Sequence, residues 1–260
     1  MNLQEFCALM ERVAPSSLAC EWDNVGLLIA PDHTALHKVL VALDCSVPVA
    51  NEAIAGGYDL VLTHHPLFFK PIQRILPDGQ DTAAACLLLR HGIGLFAAHT
   101  NLDACAGGVN DCLAAVLGLK NVAPLPPEGL GRMGLLPAPT PFSDFIALCE
   151  DKLNTVARFT GDGARIVQKI GLIGGGAGDE ALVAKEAGCD AYLTGEMKHH
   201  EALYAAQIDM PCCVLGHYET EAIVLKPLIT RLQNQSFDVQ YHVTLTEKAA
   251  LACSARRERI

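Results

Sequence analysis

Lys38-Val39-Leu40-Val41-Ala42-Leu43, Tyr58-Asp59-Leu60-Val61-Leu62-Thr63 and Ile93-Gly94-Leu95-Phe96-Ala97-Ala98 are three apolar runs of strand length within one stretch of sequence. Runs this short, apolar at nearly every position, fit strands buried on both faces. The segments between them read as helices: 47–55, closed by Gly56-Gly57, and 81–90, stopped by Gly92. A further helix over 109–117 ends at Gly118. The order β-α-β-α-β-α predicts an α/β fold with a mainly parallel sheet and right-handed crossovers.

Working outward, residues 3–13 read as a helix followed by Pro15, and the composition shifts over 123–141. Six prolines (Pro124, Pro126, Pro127, Pro137, Pro139, Pro141) with Gly129, Gly131 and Gly134 mark this segment as a domain boundary. A second alternating series follows: a helix over 143–153 with Ser143 as N-cap, a strand over 165–173, a helix over 179–187 and a strand over 190–194. A helix near 198–206, a strand over 212–215, a helix over 220–233 and a last strand over 237–243 complete it. The expected architecture is two α/β domains with mainly parallel or mixed sheets, 1–125 and 126–211.

Composition narrows the function classes. At about 150 residues per domain, 260 residues make one or two domains. With 51% hydrophobic and 18% charged residues, a largely disordered chain is excluded. No apolar run approaches the ~20 residues that span a bilayer. A formal charge of −10 argues against binding double-stranded nucleic acid. The one dense basic run, Arg256-Arg257-Glu258-Arg259, reads as a solvated tail. The start, Met1-Asn2-Leu3-Gln4-Glu5, lacks the pattern of a signal peptide. Eleven cysteines, an odd number with no C-x-x-C pair, point to a reducing cytoplasm.

In α/β sheets ligands gather at the carboxyl ends of strands. The second run leads into Thr63-His64-His65-Pro66, and two adjacent imidazoles can serve two neighbouring ions. The third leads into His99-Thr100-Asn101-Leu102-Asp103, where Asp103, expected in a loop, offers a carboxylate able to bridge metals. A later strand ends at Leu215-Gly216-His217, and one helical turn would bring His217 and Glu221 onto one face. His64, His65, Asp103, His217 and Glu221 together suit zinc, iron or manganese better than magnesium alone. Five ligands are about right for two ions that share carboxylates.

These residues lie in motifs. Glu21-Trp22-Asp23-Asn24-Val25-Gly26-Leu27-Leu28, Leu62-Thr63-His64-His65-Pro66-Leu67-Phe68-Phe69 and His99-Thr100-Asn101-Leu102-Asp103 occur in order. Gly174-Gly175-Gly176-Ala177-Gly178, Leu193-Thr194-Gly195-Glu196 and Gly216-His217-Tyr218-Glu219-Thr220-Glu221 follow them. In this the chain resembles the NGG-one-interacting-factor-three-like family, over about residues 1–240. Bacterial members of that family carry the name type-two GTP cyclohydrolase I. The resemblance implies a two-domain α/β subunit, its first domain completed by the C-terminal segment from about 212. It also implies a ring-shaped homohexamer and a two-metal centre at the cleft between domains, held by the same five residues. Many relatives carry an extra domain inserted in the middle, which a chain of this length lacks.

The resulting expectation is a dinuclear metal-dependent hydrolase with two divalent ions per subunit and a small-molecule substrate, GTP being the one the family name suggests. A non-catalytic metal-binding ring and a two-metal phosphoesterase are the alternatives. His99 and Glu196 are the candidate catalytic residues. His99 reads as a further ligand, an orienter of Asp103 or a proton donor, and Glu196 as a substrate contact or proton relay. A structural His99 and a solvated Glu196 remain open beside those roles. His199-His200 reads as solvated and Cys212-Cys213 as two buried small residues. The glycine run 174–178 reads as a tight turn, with phosphate binding as the alternative because it does not satisfy G-x-G-x-x-G. Trp22 either packs or borders the cleft. No G-x-S-x-G elbow or P-loop is present.

Overall fold

The computed structural model describes residues 1–79 and 82–251. In chain order the first elements are α1 (Leu3–Val13), β1 (Gly26–Ile29), β2 (Lys38–Ala42), α2 (Val47–Gly56), β3 (Leu60–Thr63), α3 (Ala83–Arg90), β4 (Gly94–Ala97) and α4 (Thr100–Ala104). There follow α5 (Val109–Val116), β5 (Lys120–Pro124), β6 (Arg132–Pro141), α6 (Phe142–Leu153), β7 (Arg158–Thr160) and β8 (Ile166–Ile173). The last are α7 (Ala181–Glu186), β9 (Ala191–Thr194), α8 (His199–Gln207), β10 (Cys212–Val214), α9 (His217–Glu221), α10 (Leu225–Gln233) and β11 (Gln240–Val243). Asp81, the expected start of the third helix, lies outside the described residues, as does the basic run 256–259.

The chain divides into two compact units, one of Met1–Cys105 with Leu225–Lys248 and one built on Ala106–Val224. The first holds a five-stranded sheet in the order β1-β4-β3-β2-β11. β4, β3, β2 and β11 run parallel, and β1 closes the edge antiparallel to β4. The three apolar runs are therefore its centre. Leu40, Val61 and Leu95 project into a core shared with Val49 and Ala53 of α2 and Ala84 and Leu88 of α3. β11 pairs in parallel with β2, so the C-terminal segment does complete this unit. At the chain start Asn2 and Glu5 form a capping box that begins α1.

The second unit holds a six-stranded mixed sheet, β5-β6-β8-β9-β10-β7, in which β8–β9 and β9–β10 are the parallel neighbours and the other pairs are antiparallel. Phe142, Phe145 and Cys149 of α6 pack on Val167, Ile170 and Leu193 in its main core.

Four readings are corrected here. The segment 123–141 is not the boundary between domains, because Pro124, Pro137 and Pro139 sit where strands tolerate a missing N–H. Pro124 ends β5, which lies at a sheet edge, and Pro137 and Pro139 fall where the β6–β8 register jumps between Leu135 and Thr140. The units accordingly meet in sequence at 105/106 and 224/225. Ser143 is not an N-cap, since α6 starts at Phe142 and has no side-chain cap. Asp103 lies on the short helix α4 rather than in a loop. The helix expected over 220–233 is α9, a 3-10 turn (Ala222–Val224) and α10, whose Pro227 sits in its first turn, where no N–H is needed.

Candidate functional site

In the first unit the functional side chains leave the carboxyl ends of adjacent parallel strands. Thr63 of β3 pairs with Ala97 of β4, so His64 and His65 emerge beside Ala98 and His99. His64 is 2% exposed. Its Nδ1 lies 2.9 Å from the Ala98 carbonyl oxygen. A carbonyl can only accept, so this nitrogen carries the proton and the neutral ring has its lone pair on Nε2. That atom faces Asp103 Oδ1 at 3.6 Å. Asp103 is itself buried and is placed by α4 starting directly after His99.

The other two imidazoles repeat the pattern with carboxylates. His65 Nδ1 donates to Asp44 Oδ1 at 2.9 Å. Asp44 follows β2, and Glu247 fixes this strand end by accepting from the Leu43 and Asp44 amides at 2.8 and 2.7 Å. His99 Nδ1 donates to Asp23 Oδ1 at 3.0 Å. Asp23 Oδ2 also accepts from the Thr100 amide at 3.0 Å and from the Thr100 hydroxyl. Burial pushes the Asp23 carboxyl upward, but the hydrogen bonds from His99 and Thr100 outweigh it and hold the group well below the usual carboxylate range.

All three rings thus share one tautomer, Nδ1–H anchored on an oxygen and the lone pair on Nε2. Donor atoms of His64, His65 and His99 lie within 4.8 Å of one another. An imidazole anchored through one nitrogen, with the other turned toward further donors, is how metal-ligating histidines are held. A lone pair and a carboxylate facing each other across 3.6 Å repel unless a cation lies with them. The donor set fits a borderline divalent ion.

In the second unit Gly216, at φ +101°, turns the chain out of β10 into α9. His217 and Glu221 then fall one helical turn apart, with Nε2 and Oε2 3.1 Å from each other. His217 Nδ1 lies 3.3 Å from Glu196 Oε2. Glu196 thus faces Nδ1 of its histidine as Asp44 and Asp23 do theirs, but at a longer distance and, like Asp44, from an exposed side chain. The glycine run supports this pair from below. Gly175 has φ +67°, and a Cβ there would lie 2.0 Å from Glu221 Oε1 and 3.2 Å from His217 Nε2.

Three amides of that run already have protein partners. Gly174 N–H donates to Asn110 Oδ1 at 2.9 Å, Gly175 N–H to Thr220 Oγ1 at 3.0 Å and Ala177 N–H to Thr194 Oγ1 at 3.3 Å. Gly175 O accepts from the Glu196 amide at 2.8 Å. This is a turn that seats a carboxylate and a histidine, and the phosphate-cradle alternative loses these three donors.

His199 and His200 are exposed at the start of α8, and Cys212 and Cys213 are fully buried, both as expected. Sequence reasoning did not assign Asp23 and Asp44 as histidine partners. Asp44 carried the signal already used for His64, a polar residue directly after a buried strand. Among the described residues no helix is long and apolar enough to cross a membrane.

Comparison with known proteins places these residues in context. The family model Duf34/NIF3 (NGG1p interacting factor 3) matches residues 1–249. The chain is 30% identical over 256 residues to a Clostridium perfringens protein named GTP cyclohydrolase 1 type 2 homolog, covering 95% of this chain and 98% of that one. It is 31% identical over 222 residues to NIF3-like protein 1 of Drosophila melanogaster, covering 82% of this chain and 75% of the relative. Among solved structures, Staphylococcus aureus protein SA1388 superposes with TM-score 0.90 at 29% identity, over 97% of this chain and 99% of that one. Reduced HcgD from Methanocaldococcus jannaschii does so with TM-score 0.81 at 30% identity, over 95% and 98%.

Proposed function

We propose, on the premise that this chain belongs to the Duf34/NIF3 family, that it is a metal-dependent hydrolase. In this reading it holds divalent ions through His64, His65 and Asp103 of its first unit and His217 and Glu221 of its second. The observation that carries the metal part is the uniform anchoring of His64, His65 and His99 through Nδ1, which turns every lone pair to Nε2. A pair of divalent ions, of zinc, iron or manganese, supplies Lewis acidity and activates water for hydrolysis. Relatives named GTP cyclohydrolase 1 type 2 homolog make the ring of a purine nucleotide the first substrate to test.

The chain's own residues have separable tasks. Ala98 O and Asp44 set the orientation of His64 and His65, and Glu196 sets that of His217. His99 handles a proton at Nε2, while Asp23 fixes its tautomer and orientation through Nδ1. A second reading, in which His99 ligates the same ion, is favoured by the clustering of its donor atom with those of His64 and His65.

Turnover is expected for the metal-loaded chain with GTP, and abolition of turnover in His64→Ala and Glu221→Ala variants that still fold. Undiminished turnover in either variant contradicts the proposal. Asp23→Asn is expected to lower kcat by roughly 10–100-fold, the usual cost of losing a carboxylate behind a working histidine. Metal content measured on the same variant separates the two readings of His99. Retained metal supports the proton-handling role, and lost metal supports ligation. An unchanged kcat removes Asp23 from the account.

A further inference from the structure

His99 is bordered by two aromatic rings that folding leaves in solvent. Trp22 is 62% exposed and Phe69 is 49% exposed. Their ring centroids lie 5.9 and 5.5 Å from that of His99, at interplanar angles of 72° and 78°. Both rings therefore meet the imidazole edgewise and stand steeply to its plane. The core of the unit uses neither, so packing does not account for them.

These rings are held in place. Asn24 Nδ2 donates to the Phe68 carbonyl at 2.7 Å, tying the segment that carries Trp22 to the one that carries Phe69. The Asn24 amide donates at 2.7 Å to Asp23 Oδ1, the same atom that anchors His99. One buried carboxylate thus fixes the imidazole and the turn beside Trp22. Exposed, pre-organised aromatics are a low-entropy surface for a flat ligand.

Phe69 also lines an open surface pocket of about 470 Å³, shared with Lys70, Ile72, Arg74 and Leu76 among others. This volume suits a small molecule. Lys70 and Arg74 are exposed there, in a chain whose formal charge is −10. Two cations beside an aromatic ring, on an otherwise acidic protein, select a ligand that is planar at one end and anionic at the other.

We propose that Trp22 and Phe69 bind the planar heteroaromatic ring of the ligand, while Lys70 and Arg74 receive an anionic group on the same molecule. This deepens the hydrolase reading, on which it rests for its place beside His99, by naming the substrate class and the residues that select it.

Trp22 is the single tryptophan of the chain, so its emission reports on this surface directly. The full-length protein, metal-loaded and metal-free, is titrated with GTP, ATP and UTP, and with ribose phosphate and inorganic tripolyphosphate. Excitation is set at the red edge of indole absorption, where the nucleotides are transparent. At least one nucleotide is expected to quench the emission saturably, and the two non-aromatic anions are expected not to. Phe69→Ala, a change on an exposed loop, should weaken that nucleotide roughly ten-fold, the effect of one lost base–aromatic stack. The double change Lys70→Ala with Arg74→Ala should weaken the nucleotide but not its nucleoside.

Quenching by tripolyphosphate equal to that by the nucleotides, or an affinity indifferent to Phe69→Ala, overturns the proposal. So does a lack of quenching by all three nucleotides. The surface needs no metal, so quenching by a chain that holds no ions leaves this proposal standing while the hydrolase reading falls. Turnover indifferent to Phe69→Ala does the reverse.

Discussion

Gly175→Ala is expected to strip the second unit of its metal-binding competence while leaving it folded. The new methyl group would stand 2.0 Å from Glu221 Oε1, so the carboxylate has to swing away. Glu221 is 3% exposed and lies against His217, and Thr220 beside it is pinned by the Gly175 amide. Displacing the carboxylate therefore breaks the His217–Glu221 pair. The backbone cost is smaller, about 1–2 kcal/mol for an alanine held in the left-handed region. Metal content by elemental analysis and a thermal melt measure the two effects separately. The expected result is a loss of bound metal of at least tenfold, with a melting temperature lowered by only a few degrees. Normal metal content would show that Glu221 is no ligand.

Asp103→Ala is expected to reduce metal affinity by at least about 100-fold, more than the 10–100-fold typical of residues that merely support a ligand. Its carboxylate faces the lone pair of His64 across 3.6 Å. The His64 ring keeps its anchor on the Ala98 carbonyl in the variant, so the fold and the ring orientation should persist. Asp103→Asn keeps the side-chain shape and one oxygen but loses the charge. It should fall between wild type and alanine in a metal titration followed by calorimetry. Equal affinity in all three proteins would remove Asp103 from the ligand set.

The sequence made the centre of the first unit readable because β2, β3 and β4 are buried along their length and glycines close the helices between them. Position at a strand end then singled out His64, His65 and His99 without any knowledge of their partners. Two kinds of feature stayed hidden. β1 alternates irregularly in burial and is only four residues long, so its periodicity is too weak to register. β5 and β6 are rich in proline, which signals loops unless the strand is known to lie at an edge or to carry a register jump.

The candidate site follows the same division. Residue type and spacing pointed to the imidazoles and acids, but the tautomers depend on Ala98 O, Asp44 and Asp23, which long-range folding brings to them. Asp23 is 76 positions from His99, and only the packed structure makes them partners. The role of Gly175 was likewise unreadable, because a glycine run signals a turn without saying which side chain the missing Cβ makes room for.

The most direct test of the metal-centre reading is the number of divalent ions per chain in protein purified without chelator. About two ions of zinc, iron or manganese per chain, removable by chelator and restored on reconstitution, is the predicted result. No stoichiometric metal, even after reconstitution with each of the three, would contradict the ligand assignment and the hydrolase proposal built on it.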